Sequence, residues 1–170
     1  MRYSREDGCR AWLTYALPRA EALCDLLDEF GSAEEIYDRF MKSGGEFLKK
    51  WISEFGISQL EEHAPKDQMH EMLLTMQKLD IGILGRDDAM YPDSLRHIQS
   101  PPGLLFYRGN LDCTMGKCVA VVGSRKASVQ GVEATKKLCC DLSRAGVSII
   151  SGLAMGIDAA AHEGCIKGGS

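Results

Sequence analysis

No apolar run in this 170-residue chain approaches the roughly 20 residues that cross a bilayer. The stretch Met1 to Asp7 leads into no apolar signal-peptide core, so a cytoplasmic address is expected. No C-x-x-C pair occurs among the seven cysteines, at 9, 24, 113, 118, 139, 140 and 165. Their number is odd and no histidines accompany them at ligand spacing. This argues against a zinc site or a disulfide framework, and the thiols are read as reduced, small apolar packing residues. The G-x-G-x-x-G of dinucleotide binding is missing as well. The one loop of that kind, Gly123-Ser124-Arg125-Lys126-Ala127-Ser128, holds a single glycine before Gly131, and Ser151 stands where an acidic residue would end the next strand. Gly116-Lys117 precedes a strand instead of a helix, which removes a Walker loop. No cofactor and no metal are expected. Finally, no Phe, Trp or Tyr follows Tyr107, so the C-terminal part has no aromatic platform for stacked bases.

What is present is an ordinary soluble composition, 45% apolar and 26% charged, with an uneven charge. Residues 1–80 carry ten Lys+Arg against sixteen Asp+Glu, a balance of −6; residues 81–170 carry ten against eight, +2. A polyanion would bind the second part.

The hydrophobic period changes at the same place. Residues 9–30 show helical spacing, broken at Pro18, which is expected to open a second helix. Ser32-Ala33-Glu34-Glu35 reads as a capping box for a third helix. Phe47, Leu48, Trp51, Ile52 and Phe55 suggest a fourth, stopped at Gly56, and Met69 to Leu79 a fifth. The aromatics of this half are expected in its core. From Asp80 onward short strands appear at 81–84, 104–107, 118–122 and 147–151. A helix over 129–145, with Val132, Thr135, Leu138, Cys139 and Leu142 on one face, separates the last two. Another follows from Asp158, read as its N-cap. Strand, helix, strand, helix is a βαβ unit with parallel strands. The fold class is therefore α/β, with a small helical domain over 1–80 and a Rossmann-like parallel-sheet domain over 81–170. A sheet ending after two βα units is short and is expected to be truncated.

The chemistry concentrates at the strand ends. Strand, glycine turn and helix N-terminus form a cradle for an anion, because the turn and the helix end both present N–H groups. Arg125 adds a guanidinium that fits phosphate. Neighbouring parallel strands put both glycine turns on one sheet edge, where open α/β sheets bind ligands. Ser124, Arg125, Ser128 and the amides of residues 152–157 are thus expected to line one cleft. No catalytic constellation accompanies them. Asp158 and His162 lie four apart on one helix and can touch, yet a cap and a packed imidazole describe them better than an acid–base pair. Ser124 and Ser151 lack a base.

Val119 to Gly131 and Ser151 to His162 together, V-A-V-V-G-S-R-K-A-S-V-Q-G and S-G-L-A-M-G-I-D-A-A-A-H, resemble the DNA-processing protein A (DprA/Smf) family. Asp88-Ala89-Met90-Tyr91-Pro92, Leu95 and Pro101-Pro102-Gly103-Leu104 are similar to its approach to the Rossmann-like core. The resemblance covers residues 81–170, and the helical part is similar in size and position to the family's sterile-alpha-motif-like domain. One departure is Ala16-Leu17-Pro18-Arg19-Ala20-Glu21, where relatives often carry a glycine-containing hairpin. The resemblance implies a non-enzymatic single-stranded DNA-binding protein of natural transformation that loads a RecA-type recombinase and forms a homodimer. It implies phosphate contacts at Gly123, Ser124, Arg125, Lys126 and Ser128 and at Ser151, Gly152, Ala154 and Gly156, with structural roles for Asp158 and His162.

Two other classes stay open. Cytokinin-activating nucleoside monophosphate phosphoribohydrolases are similar in their sheet and G-S-R-like turn, but carry a later P-G-G-x-G-T-x-x-E stretch that does not occur here. The acidic helical half alone would suit a protein-interacting module.

Overall fold

The computed structural model describes residues 3–17, 19 and 22–169. Their packing forms two compact units, Met1–Gly109 and Asn110–Ser170.

The first unit contains helices α1 (Arg5–Leu13), α2 (Ala22–Phe30), α3 (Ala33–Ser43), α4 (Glu54–His63) and α5 (Lys66–Lys78), then strand β1 (Gly82–Gly85), helix α6 (Asp93–Arg96) and strand β2 (Leu104–Tyr107). Its core is aromatic and aliphatic: Trp12, Leu13, Leu23, Leu26, Ile36, Tyr37, Phe40 and Leu60 are buried in one cluster. Trp12 meets Tyr37 and Phe40 edge-on, each at 5.1 Å between ring centroids, an arrangement favoured by the ring quadrupoles. The polar handles are satisfied, with Trp12 Nε1–H donating to the Leu60 carbonyl at 3.0 Å and the Tyr37 hydroxyl to the Ala64 carbonyl at 2.6 Å. These rings are core, as their helical spacing suggests.

Several local details differ from the expected ones. The start at Pro18 lies outside the described residues. Ser32 Oγ does accept from the Glu35 N–H, but Glu6 of α1 supplies the rest of the cap, accepting from the Ala33 and Glu34 amides at 3.1 and 2.9 Å. Gly56 does not stop a helix; it sits in the first turn of α4, where Ser53 Oγ accepts its N–H. Only a short 3-10 turn, Glu46–Leu48, forms in the stretch before it, and Phe55 is exposed. A side chain on Gly56 would press on Ile52 and the Ala16 backbone, so close packing accounts for the glycine.

Strands β1 and β2 pair with each other, antiparallel, with Gly82 opposite Tyr107 and Gly85 opposite Leu104. They pack among the helices. Leu104 joins the helical core, Arg10 pairs with Asp87 at 2.7 Å, and the Tyr3 hydroxyl donates to the Ile81 carbonyl. The sequence pattern thus changes at Asp80, while the packing divides between Gly109 and Asn110.

The second unit is a βαβα arrangement of strand β3 (Cys118–Ala120), helix α7 (Val129–Arg144), strand β4 (Ser148–Ile150) and helix α8 (Ile157–Gly168). The strands are parallel, with Val119 opposite Ile149. α7 ends at Gly146, which takes φ +75° one residue past the C-cap. Its inward face is Cys139, Cys140 and Ser143; Leu138, expected inward, is exposed. The helices meet through small residues. Gly164 lies so near the Lys136 backbone that a Cβ would overlap its carbonyl, and Ser143 Oγ donates to the Cys165 carbonyl at 2.9 Å. All seven cysteines are free thiols, four of them buried. Burial pushes the Cys9 thiol up to about 12, which makes it inert at neutral pH. Among the described residues no helix is long and apolar enough to cross a membrane.

Candidate nucleic-acid interface

β3 and β4 run side by side, so the turns that leave them emerge on one edge. The pairing continues past the strands: the Val121 N–H donates to the Ile150 carbonyl at 2.9 Å and Ser151 Oγ to the Val121 carbonyl at 2.7 Å. Beyond that point the two turns lock together. The Ile157 N–H donates to the Ser124 carbonyl at 3.2 Å. Gly156, at φ +87°, lies against the Ser124 and Arg125 backbone, leaving no room for a Cβ. Gly123 packs on Ile157, whose side chain would lie 2.7 Å from a Cβ on that glycine. Both glycines therefore permit a backbone-to-backbone joint.

The joint displays Ser124, Arg125, Lys126 and Ser128 on the surface. Ser124 Oγ accepts from the Lys126 N–H at 3.1 Å and holds the turn tight. Arg125 and Lys126 make no ion pair with any other described residue. Ser128 is the N-cap of α7 and its Oγ accepts from the Gly131 N–H at 3.1 Å. That leaves the Val129 and Gln130 amides without an intrahelical acceptor. A helix end with two open amides and two flanking cations has the electrostatics that favour an anion.

The second turn is built differently. Ser151 donates its proton to the Val121 carbonyl, just past β3. Gly152 sits over the Asp158 carboxylate, 3.1 Å from where its Cβ would be, and the Ala154 carbonyl accepts from Ala159 N–H at 3.0 Å. Asp158 does not cap α8: the N-cap is Gly156, with no side-chain cap bond. Asp158 is the second helical residue, only 5% exposed, and its negative charge already complements the positive end of α8. The anion is thus better placed at α7 than at α8, a distinction that spacing alone does not make. One turn further, His162 Nε2 is buried without a hydrogen-bond partner among the described residues. No group of three or more His, Cys, Asp or Glu that could hold a metal lies together among the described residues. A groove of about 500 Å³ between the outer faces of α7 and α8 is lined by Lys136, Lys137, Arg144 and Lys167, but also by Glu133, Asp141 and Glu163. Lys136 is held by Glu163 at 2.6 Å, so that groove lacks the single sign of the turn edge.

Comparison with known proteins agrees with the fold. The family model described as DNA recombination-mediator protein A matches residues 82–170. Protein Smf of Borreliella burgdorferi is 40% identical over 122 residues, 71% of this chain and 37% of that protein. DNA processing protein DprA of Streptococcus pneumoniae is 48% identical over 82 residues, 48% of this chain and 29% of that protein. The chain thus spans about a third of the length of these curated relatives. The X-ray structure of DNA processing protein A from Streptococcus pneumoniae superposes with a TM-score of 0.60 at 26% identity, covering 100% of this chain and 56% of that one.

Proposed function

The chain belongs to the DNA recombination-mediator protein A family, and from that premise we propose that it binds single-stranded DNA without regard to sequence and presents the strand to a RecA-type recombinase in natural transformation. The observation that carries this reading is the joint of the two turns. It brings Arg125, Lys126 and the open amides of α7 to one surface, and these cations and N–H donors match phosphate oxygens. Phosphate contacts position a strand but carry no sequence information.

The role is binding, with no chemical step. Arg125 supplies a forked, permanently charged donor, Lys126 a point charge, and Val129 and Gln130 supply amide donors that need no reorganisation. Ser124 and Ser128 hold the turn and the helix start, and the second turn braces the first through Gly156.

Titrating oligonucleotides of several compositions over a salt range tests this. Arg125→Ala should weaken binding about tenfold for every composition. The slope of log affinity against log salt should flatten by about 0.7, the value for one phosphate contact on a single strand. A folded Arg125→Ala protein with the parent's affinity and slope would overturn the reading.

A further inference from the structure

Two of the most exposed apolar side chains of the second unit stand on one short turn. Leu153 and Met155 are each 76% exposed, and they flank Ala154, whose carbonyl is tied to α8. Anchoring Ala154 turns its neighbours outward. On the first turn Val122, directly before Gly123, is 86% exposed. Side chains of this size forgo hydrophobic stabilisation by staying in water. Leu153 carries a second cost. Its φ is +54°, a region that a residue with a Cβ enters only under strain and a glycine enters freely. A bulky apolar side chain is thus kept where backbone and solvent both disfavour it, and strain of this kind is found at ligand contacts.

We infer that Leu153 and Met155, with Val122, form an aliphatic shelf on which the bases of a single strand rest while its phosphates are held at the α7 end. This rests on the single-strand reading above and assigns it a second set of contacts. The turn that carries the shelf is the turn whose Gly156 abuts the Ser124–Arg125 backbone, so shelf and guanidinium belong to one continuous surface. Each nucleotide offers a charged phosphate and a base with two apolar faces. In a duplex those faces are stacked away; in a single strand they are free to lie on a protein surface. The shelf therefore separates single strands from duplexes, which share the same phosphates. It also serves where aromatic residues are absent after Tyr107.

The test measures binding of oligothymidylate and of an equally long abasic deoxyribose-phosphate strand, over a salt range, to the parent chain, Leu153→Gly, Met155→Ala and Arg125→Ala. The parent should prefer the base-bearing strand about tenfold. Leu153→Gly and Met155→Ala should each lose about fivefold on oligothymidylate and nothing on the abasic strand, with the salt slope unaltered because no phosphate contact is lost. Leu153→Gly also relieves the backbone, so its melting temperature should match or exceed the parent's, and Met155→Ala touches no strained position. If both variants bind oligothymidylate as the parent does while Arg125→Ala is weakened, the shelf is wrong and the phosphate reading stands. Equal parental affinity for the two strands also overturns the shelf. A parent that binds neither strand removes both.

Discussion

Gly156 carries the most consequence at the scale of single residues. At φ +87° it has both a left-handed backbone and no space for a Cβ. Gly146 separates these effects, since at φ +75° it has nothing within 4 Å of a Cβ. Gly146→Ala should therefore cost only the left-handed penalty, about 1 kcal/mol. Gly156→Ala should cost about 3 kcal/mol, because the Ser124 and Arg125 backbone must also move, and it should weaken single-strand binding besides. Urea denaturation of both variants measures the difference; equal losses would mean that the turns are not braced against each other. The residues of this joint were legible in the sequence because a glycine turn after an apolar run has a strong physical signature. Their individual jobs were not. That Ser151 spends its proton on Val121, that Ser128 caps α7, and that Gly156 in place of Asp158 opens α8 depend on distances below 3.5 Å between segments some 30 residues apart or on the phase of a helix start. The backbone sign of Leu153 has no sequence signature either, since nothing but the packing of the turn sets it.

Elements that begin with a side-chain cap give the clearest predictions at the next scale. Ser128→Ala removes the cap of α7 and should cost about 1 kcal/mol. It should also lower single-strand affinity, because the amides proposed to meet the phosphate belong to the same first turn. In the other unit, Glu6 caps α3 from a neighbouring helix while pairing with Arg10 at 2.8 Å. Burial alone would raise its pKa, but Arg10 and the Ala33 and Glu34 amides outweigh that and hold the carboxyl below its ordinary value. Asp87 is likewise lowered, chiefly by its hydrogen bond from Arg10. Both groups bind fewer protons folded than unfolded, so their contribution is complete above the unfolded values near pH 4 and is lost as pH falls through the folded ones. Glu6→Gln should cost about 1–2 kcal/mol at neutral pH, and its stability curve should converge on the parent's as pH falls through the folded pKa and Glu6 becomes protonated. Parallel curves would mean that Glu6 acts by shape alone. Most helices were legible from period and caps. The misplaced ones share a cause: Gly56 reads as a terminator by local rules, yet it is held inside α4 by Ser53 and by contact with residue 16. The exposed Leu138 shows the same limit, since the width of the buried stripe on α7 is set by how closely the glycines of α8 approach.

For the molecule as a whole, the two units differ sharply in what they bury. The first hides Trp12, Leu13, Leu23, Leu26, Ile36, Leu48, Ile52 and Leu60. In the second, the buried apolar residues among those described are Cys139, Cys140, Ala160, Ala161 and Cys165, small side chains that each remove little area from water. With burial near 25 cal/mol per Å² as the main stabilising term, the second unit should be much the weaker, and stability need not be uniform along a chain. Both tryptophans, Trp12 and Trp51, lie in the first unit, so their fluorescence reports that unit alone, while far-ultraviolet circular dichroism reports helices of both. In urea the dichroism should begin to fall, through loss of α7 and α8, before the fluorescence changes. Single-stranded oligonucleotide should then act on one transition only. At 100 times its dissociation constant it should stabilise the second unit by about 2.7 kcal/mol and leave the tryptophan transition where it was. Coincident transitions would mean that the units unfold as one. A strand that moved the tryptophan transition instead would place the DNA on the acidic helical unit, against both its charge and the position of Arg125.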